Sequence, residues 1–281
     1  MLSISMIRFQ IDFLLPVGKG VLMSRVVNLA GIAVLLCAVG ASAVEWGLVW
    51  SDEFNVAGMA DPNKWDYEVG YIRNRERQYY TKARAENARV EDGHLVIETR
   101  KDGFEGHDIT SASLHTRWKA SWCYGRIEVR AKLPTGKGMW PAIWMLGVNR
   151  SVGWPACGEI DLMENVGFDP LTIHANVHTK AYNHVLGTNK GNKITVTDPS
   201  QHFHVYTIEW FEDHIDFYVD KTKYFTFENE GTGNDVWPFD KPHYLILNAA
   251  YGGSWGGQKG TDDSILPQKY FIDYVRVYKA K

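Results

Sequence analysis

Between residues 125 and 133 apolar and charged side chains alternate, with Ile127, Val129, Ala131 and Leu133 on one face of an extended segment and Arg126, Glu128, Arg130 and Lys132 on the other. Such a period of two marks a β-strand that covers a core on one side only. Further strand candidates occupy residues 95–99, 140–146, 173–178, 204–210, 214–219, 224–227, 244–250 and 271–278. Turn residues separate several of them, at Glu212-Asp213, Asp220-Lys221 and Gly252-Gly253. No long segment spaces its apolar residues at the helical period. Many short strands predict an all-β fold of two packed antiparallel sheets, a jelly-roll sandwich whose curvature leaves a concave cleft open to a polymer.

Residues 1–43 break the pattern. A basic Arg25, an apolar stretch through Val39 and the small residues Ala41-Ser42-Ala43 describe a secretory signal peptide cleaved after Ala43. Met23 could open that signal on its own, which makes residues 1–22 an upstream extension. The stretch is too short and interrupted for a comfortable transmembrane span, with an uncleaved anchor as the alternative. The expectation is a secreted or periplasmic protein without stable membrane insertion. Residues 44–281 contain no linker or repeat and read as one domain, expected to act as a monomer.

Composition narrows the function. Losing residues 1–43 removes Arg8, Lys19, Arg25 and Asp12, leaving 27 basic against 32 acidic residues and a net charge of −5. No general attraction to nucleic acid follows from such a balance. All 11 Trp lie at or beyond Trp46, which hints at a surface that stacks on flat ligand faces. Cys123 and Cys157 remain, either as one disulfide or as two buried thiols. Neither has a His or Asp neighbour at the spacing of a cysteine nucleophile.

The chemistry concentrates in Cys157-Gly158-Glu159-Ile160-Asp161-Leu162-Met163-Glu164-Asn165. On a regular strand Glu159 and Asp161 share a face and Glu164 points the other way. One extra residue absorbed as a β-bulge near Leu162-Met163 returns Glu164 to their side and sends Ile160 to the core. The outer two Cα atoms then lie roughly 13 Å apart. Inward-leaning side chains bring the carboxyl groups to about 5 Å, the separation of a retaining glycosidase rather than the ~6.5–9.5 Å of an inverting one. Three crowded acids cannot all ionise easily, so at least one proton is held to a higher pH. The alternatives are an exposed acidic strand face or a calcium ligand set, and the apolar neighbours Leu162, Met163 and Trp154 count against the first.

The segment Trp154-Pro155-Ala156-Cys157-Gly158-Glu159-Ile160-Asp161-Leu162-Met163-Glu164 resembles the active-site strand of glycoside hydrolase family 16, in its laminarinase-like branch. The likeness extends to Trp50-Ser51-Asp52-Glu53-Phe54, Asn87-Ala88-Arg89-Val90-Glu91-Asp92-Gly93, Gly138-Met139-Trp140-Pro141-Ala142-Ile143-Trp144-Met145-Leu146 and Asp273-Tyr274-Val275-Arg276-Val277-Tyr278. The resemblance implies a concanavalin-like jelly roll that cleaves internal β-1,3 linkages of a β-glucan with retention. Glu159 would be the nucleophile, Glu164 the general acid/base, and Asp161 the residue that orients Glu159, with no cofactor in catalysis.

The same resemblance places His178 beside the acids and makes Trp140, Trp144 and Trp154 sugar-stacking or cleft-wall positions, although Trp140 and Trp144 share a strand face that could instead be core. Arg73 and Asn74 fall in a segment that resembles the family's substrate-contacting loop, and Trp118, Trp122 and Trp255 are weaker candidates, the last on a flexible rim loop, Gly252-Gly253-Ser254-Trp255-Gly256-Gly257. His174 and His178 also share a strand face, with no helical zinc motif around them. Ser113 stands where many relatives carry Arg. Glu53, Gly93 and Asp273 match regions that hold a structural calcium in the family. The alternatives are a sulfated galactan held by the basic loop Arg73, Arg75, Arg77, Lys82 and Arg84, or a non-catalytic glucan-binding lectin.

Overall fold

The computed structural model describes residues 44–281; the expected signal segment lies outside the described residues. In chain order the strands are β1 (Trp46–Asp52), β2 (Asp66–Tyr67), β3 (Gln78–Tyr80), β4 (Ala88–Glu91), β5 (His94–Phe104), β6 (His107–Ser111), β7 (Ser113–His115) and β8 (Gly125–Lys132). They continue as β9 (Met139–Gly147), β10 (Glu159–Val166), β11 (Asp169–His178), β12 (Lys190–Thr195), β13 (His204–Trp210), β14 (His214–Val219), β15 (Thr222–Glu228), β16 (His243–Tyr251) and β17 (Gln268–Ala280). Arg150–Val152 and Asp263–Ile265 form single 3₁₀ turns. No helix among the described residues is long and apolar enough to cross a membrane.

The strands form two sheets. The outer sheet runs β15-β14-β13-β8-β17-β5-β6-β3, with β1 also paired to β17 and β4 to β5. The cleft sheet runs β12-β11-β10-β9-β16-β7-β2 and is antiparallel throughout. The expectation of two wholly antiparallel sheets needs one correction, because β3 joins β6 in parallel, with Gln78 opposite Ile109. Two strands separated by a long excursion arrive side by side there, and only a hairpin connection forces the antiparallel sense.

Alternation explains the layering. In β8 the side chains of Ile127, Val129 and Ala131 are fully buried, while Arg126 and Glu128 pair on the outer surface. The core between the sheets takes Leu95, Ile97, Ile208, Phe217 and Val275 from the outer sheet and Ile143, Met145, Ile160, Ile173, Val177 and Leu245 from the cleft sheet. Each such side chain contributes about 1.5–3 kcal/mol when removed from water. Strands β9 and β16 are buried along their whole length. Their alternate residues Trp144, Leu146, Tyr244 and Ile246 form a second apolar cluster on the opposite, concave face. A sheet buried on both sides is a stiff floor on which to mount chemistry.

Candidate active site

Strand β10 carries the three acids. Against β9, Glu159 faces Leu146 and Asp161 faces Trp144, but Met163 then faces Ile143, so two residues oppose one between Asp161 and Met163. The ladder to β11 skips at the same place, with Asp161 opposite Asn176 and Glu164 opposite His174. This is the expected bulge. Its cause is local: Leu162 and Met163 are consecutive apolar residues, and both enter the core with Ile160 only if the strand gains a residue there. Glu159, Asp161 and Glu164 consequently stand opposite Leu146, Trp144 and Ala142, alternate residues of β9 on the concave face. Upstream, Gly158 turns the chain into the strand at φ 81°, where an added Cβ would lie 2.8 Å from the His243 imidazole, so only glycine fits.

Each acid has specific neighbours. The Trp154 indole N–H donates to Glu159 Oε2 at 2.9 Å, and the Trp140 indole N–H donates to Glu164 Oε1 at 3.1 Å. The Asn176 amide donates to Glu164 Oε2 at 3.4 Å. His178 Nε2 sits 3.4 Å from Asp161 Oδ2 and 3.7 Å from Glu159 Oε1. Burial comes first among the forces on these carboxyls. It pushes Glu159 up to about 8, assisted by the charges of Asp161 and Glu164 and opposed by His178 and the Trp154 N–H. Burial and the neighbouring Glu164 also raise Asp161 well above the usual carboxylate range. Glu164 is raised by burial and drawn back by His178, Trp140 and Asn176. The cluster therefore holds protons at neutral pH that isolated carboxylates would have lost.

The remaining sequence candidates fall into three groups. Trp140, Trp144 and Trp154 all face the concave side, which settles the alternative of burial between the sheets for Trp140 and Trp144. Trp144 donates to Asn248 Oδ1 at 2.7 Å, and the Arg73 guanidinium lies 4.8 Å from its ring centroid. Trp255 meets Trp140 edge-on at 5.4 Å and His174 at 5.0 Å, so His174 belongs to the aromatic rim and His178 to the acids. Asn74 donates to Glu76 Oε1, and its carbonyl accepts from the Ser254 N–H, which ties the loop around residue 74 to the Trp255 loop. Trp122 is a correction: it packs in the core against Trp50, because its main chain bridges to His243 at the start of β16.

The basic loop is largely neutralised from within. Arg73 pairs with Glu68, Arg77 with Asp263 at 2.7 Å, Lys82 with Asp66 at 3.7 Å and Arg84 with Asp102 at 2.9 Å. Ser113, where many relatives have Arg, donates to Glu68 Oε2 at 2.6 Å, so the same carboxylate joins Ser113 to Arg73. Sequence reasoning missed Asn176, although the alternation His174, Asn176, His178 puts it on the acids' side of β11. It also missed Glu76, a buried carboxyl raised by desolvation that accepts from Asn74, Gln78 and Tyr80 and adds its charge to that felt by Glu164. Both cysteines are free thiols, and burial pushes each upward.

Two donor sets could hold a cation. Glu159, Asp161 and His178 each offer one ligand atom, all within 4.8 Å of one another. On the outer sheet Glu53, Gly93 and Asp273 line one depression with Asn55 and Asp92. The Glu53 carboxylate is already engaged by Arg276 through contacts of 3.0 and 2.8 Å, and Asp273 pairs with Arg130. The oxygen donors suit calcium in type, and the Asn55 and Asp92 side chains, the second Asp273 oxygen and main-chain carbonyls are left without a guanidinium.

Known proteins carry the same architecture. The family described as Glycosyl hydrolases family 16 matches residues 75–276. A beta-glucanase of Rhodothermus marinus is 53% identical over 247 residues, covering 84% of this chain and 86% of its own. The crystal structure of the laminarinase from Rhodothermus marinus superposes with a TM-score of 0.83 at 52% identity, covering 85% of this chain and 99% of its own. A non-specific endo-β-1,3(4)-glucanase superposes with a TM-score of 0.81 at 50% identity, over 85% of this chain and 94% of its own.

Proposed function

The chain belongs to the glycosyl hydrolases family 16, and from that premise we propose that its cleft hydrolyses internal β-1,3 linkages of β-glucan, mixed β-1,3/1,4 chains included, by a double displacement with retention. The observation that carries this reading is the β10 bulge, which sets Glu159, Asp161 and Glu164 in one line on the concave face.

In the first half-reaction Glu159 attacks the anomeric carbon while Glu164 gives its proton to the leaving oxygen. In the second, Glu164 takes a proton from the incoming water and that water displaces Glu159. The roles need opposite ionisation in adjacent, buried acids. Burial holds the Glu159 proton up to about 8; against it, a proton kept on Asp161, the Trp154 N–H and His178 favour the Glu159 anion, the form that attacks. Glu164, raised by burial, keeps the proton it must donate.

Assays on laminarin, lichenan, curdlan, agarose and carrageenan test the reading, with NMR of the first-formed product. We expect cleavage of laminarin and lichenan with release of the β-anomer, and loss of at least about 10³ in kcat for Glu159→Gln. Initial release of the α-anomer, or unchanged activity in that variant, would overturn it. Calcium on the outer sheet is part of the same proposal, held by Asp273 and the main chain near Gly93, as are export with loss of residues 1–43 and action as a monomer.

A further inference from the structure

Trp118 is the most exposed tryptophan of the described residues, with 79% of its surface in solvent. Its backbone sits at φ 67°, a left-handed conformation that bulky side chains adopt only under steric strain. Glycine would take that conformation freely. Burial cannot compensate for the strain, because the ring is hardly buried.

Register shows where the ring stands. Glu159 faces Leu146 on β9, and Leu146 faces Tyr244 on β16. On β7, His115 faces Ile246, and the Thr116 N–H donates to the Leu245 carbonyl at 3.0 Å, so the next residue, Arg117, reaches Tyr244. The Arg117 guanidinium lies 5.8 Å from the Tyr244 ring centroid and 4.4 Å from that of Trp118. Its Nε is buried without a hydrogen-bond partner, so the aromatic rings are its main company. Tyr244, Arg117 and Trp118 thus climb from the cleft floor to its end on the rung that begins at Glu159, about three strand spacings or roughly 14 Å away.

We infer that Trp118 is a stacking platform for a sugar ring of the glucan chain, at a subsite remote from the bond that is cut. This deepens the β-glucan reading and rests on it. The guanidinium against one side of the indole fixes the ring's attitude before substrate arrives, and the apolar face of a β-linked glucose suits the open side. Strain in the backbone is the cost of presenting an aromatic ring there.

The test is kcat/KM for wild type, Trp118→Gly and Trp118→Phe on laminari-oligosaccharides from the trisaccharide to the octasaccharide. For Trp118→Gly we expect a loss of about five-fold on the octasaccharide that shrinks steadily with chain length, substantial recovery in Trp118→Phe, and a Tm no lower than that of wild type. An active wild type whose length profile is unchanged in Trp118→Gly overturns the platform alone, as does an equal loss at every length. A wild type that cleaves none of the series overturns the glucan reading and the platform with it.

Discussion

Glu159 lies where a carboxylate is least comfortable, and that discomfort is measurable. The folded protein holds its proton up to about 8, against an ordinary value of 4.5. Ionisation therefore costs stability that accumulates between those two pH values and is complete above the higher one. Glu159→Gln is expected to raise Tm at pH 8 by about 2–4 °C for each kcal/mol of relieved penalty, and to change it much less at pH 5; thermal melts at both values check this. Trp154→Phe probes the opposing influence. It keeps the ring but removes the N–H that Glu159 accepts, so the acidic limb of the kcat/KM profile should move to higher pH. A fall in kcat of about ten-fold is expected, the equivalent of one charge-assisted hydrogen bond of ~1.5 kcal/mol. The acids were legible in the sequence because three carboxylates amid apolar residues require an explanation. Asn176 and Glu76 were not, since an amide on an alternating strand and an acid in a charged loop look ordinary until the fold brings them to Glu164.

At the scale of the element, the bulge decides the outcome. The run polar, apolar, polar, apolar, apolar, polar from Glu159 to Glu164 has one doubled apolar step, and the doubled step marks the extra residue. Inserting one alanine between Leu162 and Met163 should change the parity of the strand beyond it, turn Glu164 into the interior and abolish activity even in protein that folds. Leu162→Ala keeps the count and leaves a cavity, so it should cost about 2–5 kcal/mol of stability while the folded fraction stays active. Chemical denaturation and laminarin hydrolysis on both variants separate the two effects. Strands with strong alternation were read almost to their ends: residues 204–210 and 214–219 are β13 and β14 themselves. β2, β3 and β7 are two or three residues long, and β12 is wholly polar but for Ile194. Such segments extend because a neighbour offers them a ladder, and no local pattern announces that.

Across the whole molecule, the two sheets have different duties. The cleft sheet spends its concave face on aromatic rings and acids, while the outer sheet carries arginine–carboxylate pairs such as Arg276 with Glu53 and Arg126 with Glu209. If calcium occupies the Asp273 depression, Tm in calcium should exceed Tm in chelator, by the equivalent of about 2.7 kcal/mol at a hundredfold excess over Kd, and Asp273→Asn should erase the difference. The jelly roll itself was readable from strand number and spacing, but the order of strands was not, because pairing between distant segments leaves no local trace. That order has a consequence for biogenesis. β17, made of residues 268–280, lies between β8 and β5 near the middle of the outer sheet. A ribosome must therefore have made residues 268–280 before the two halves of that layer can zip together, and residues 44–267 are translated without that closure. Proteolytic clipping within β17 would remove the keystone of that layer.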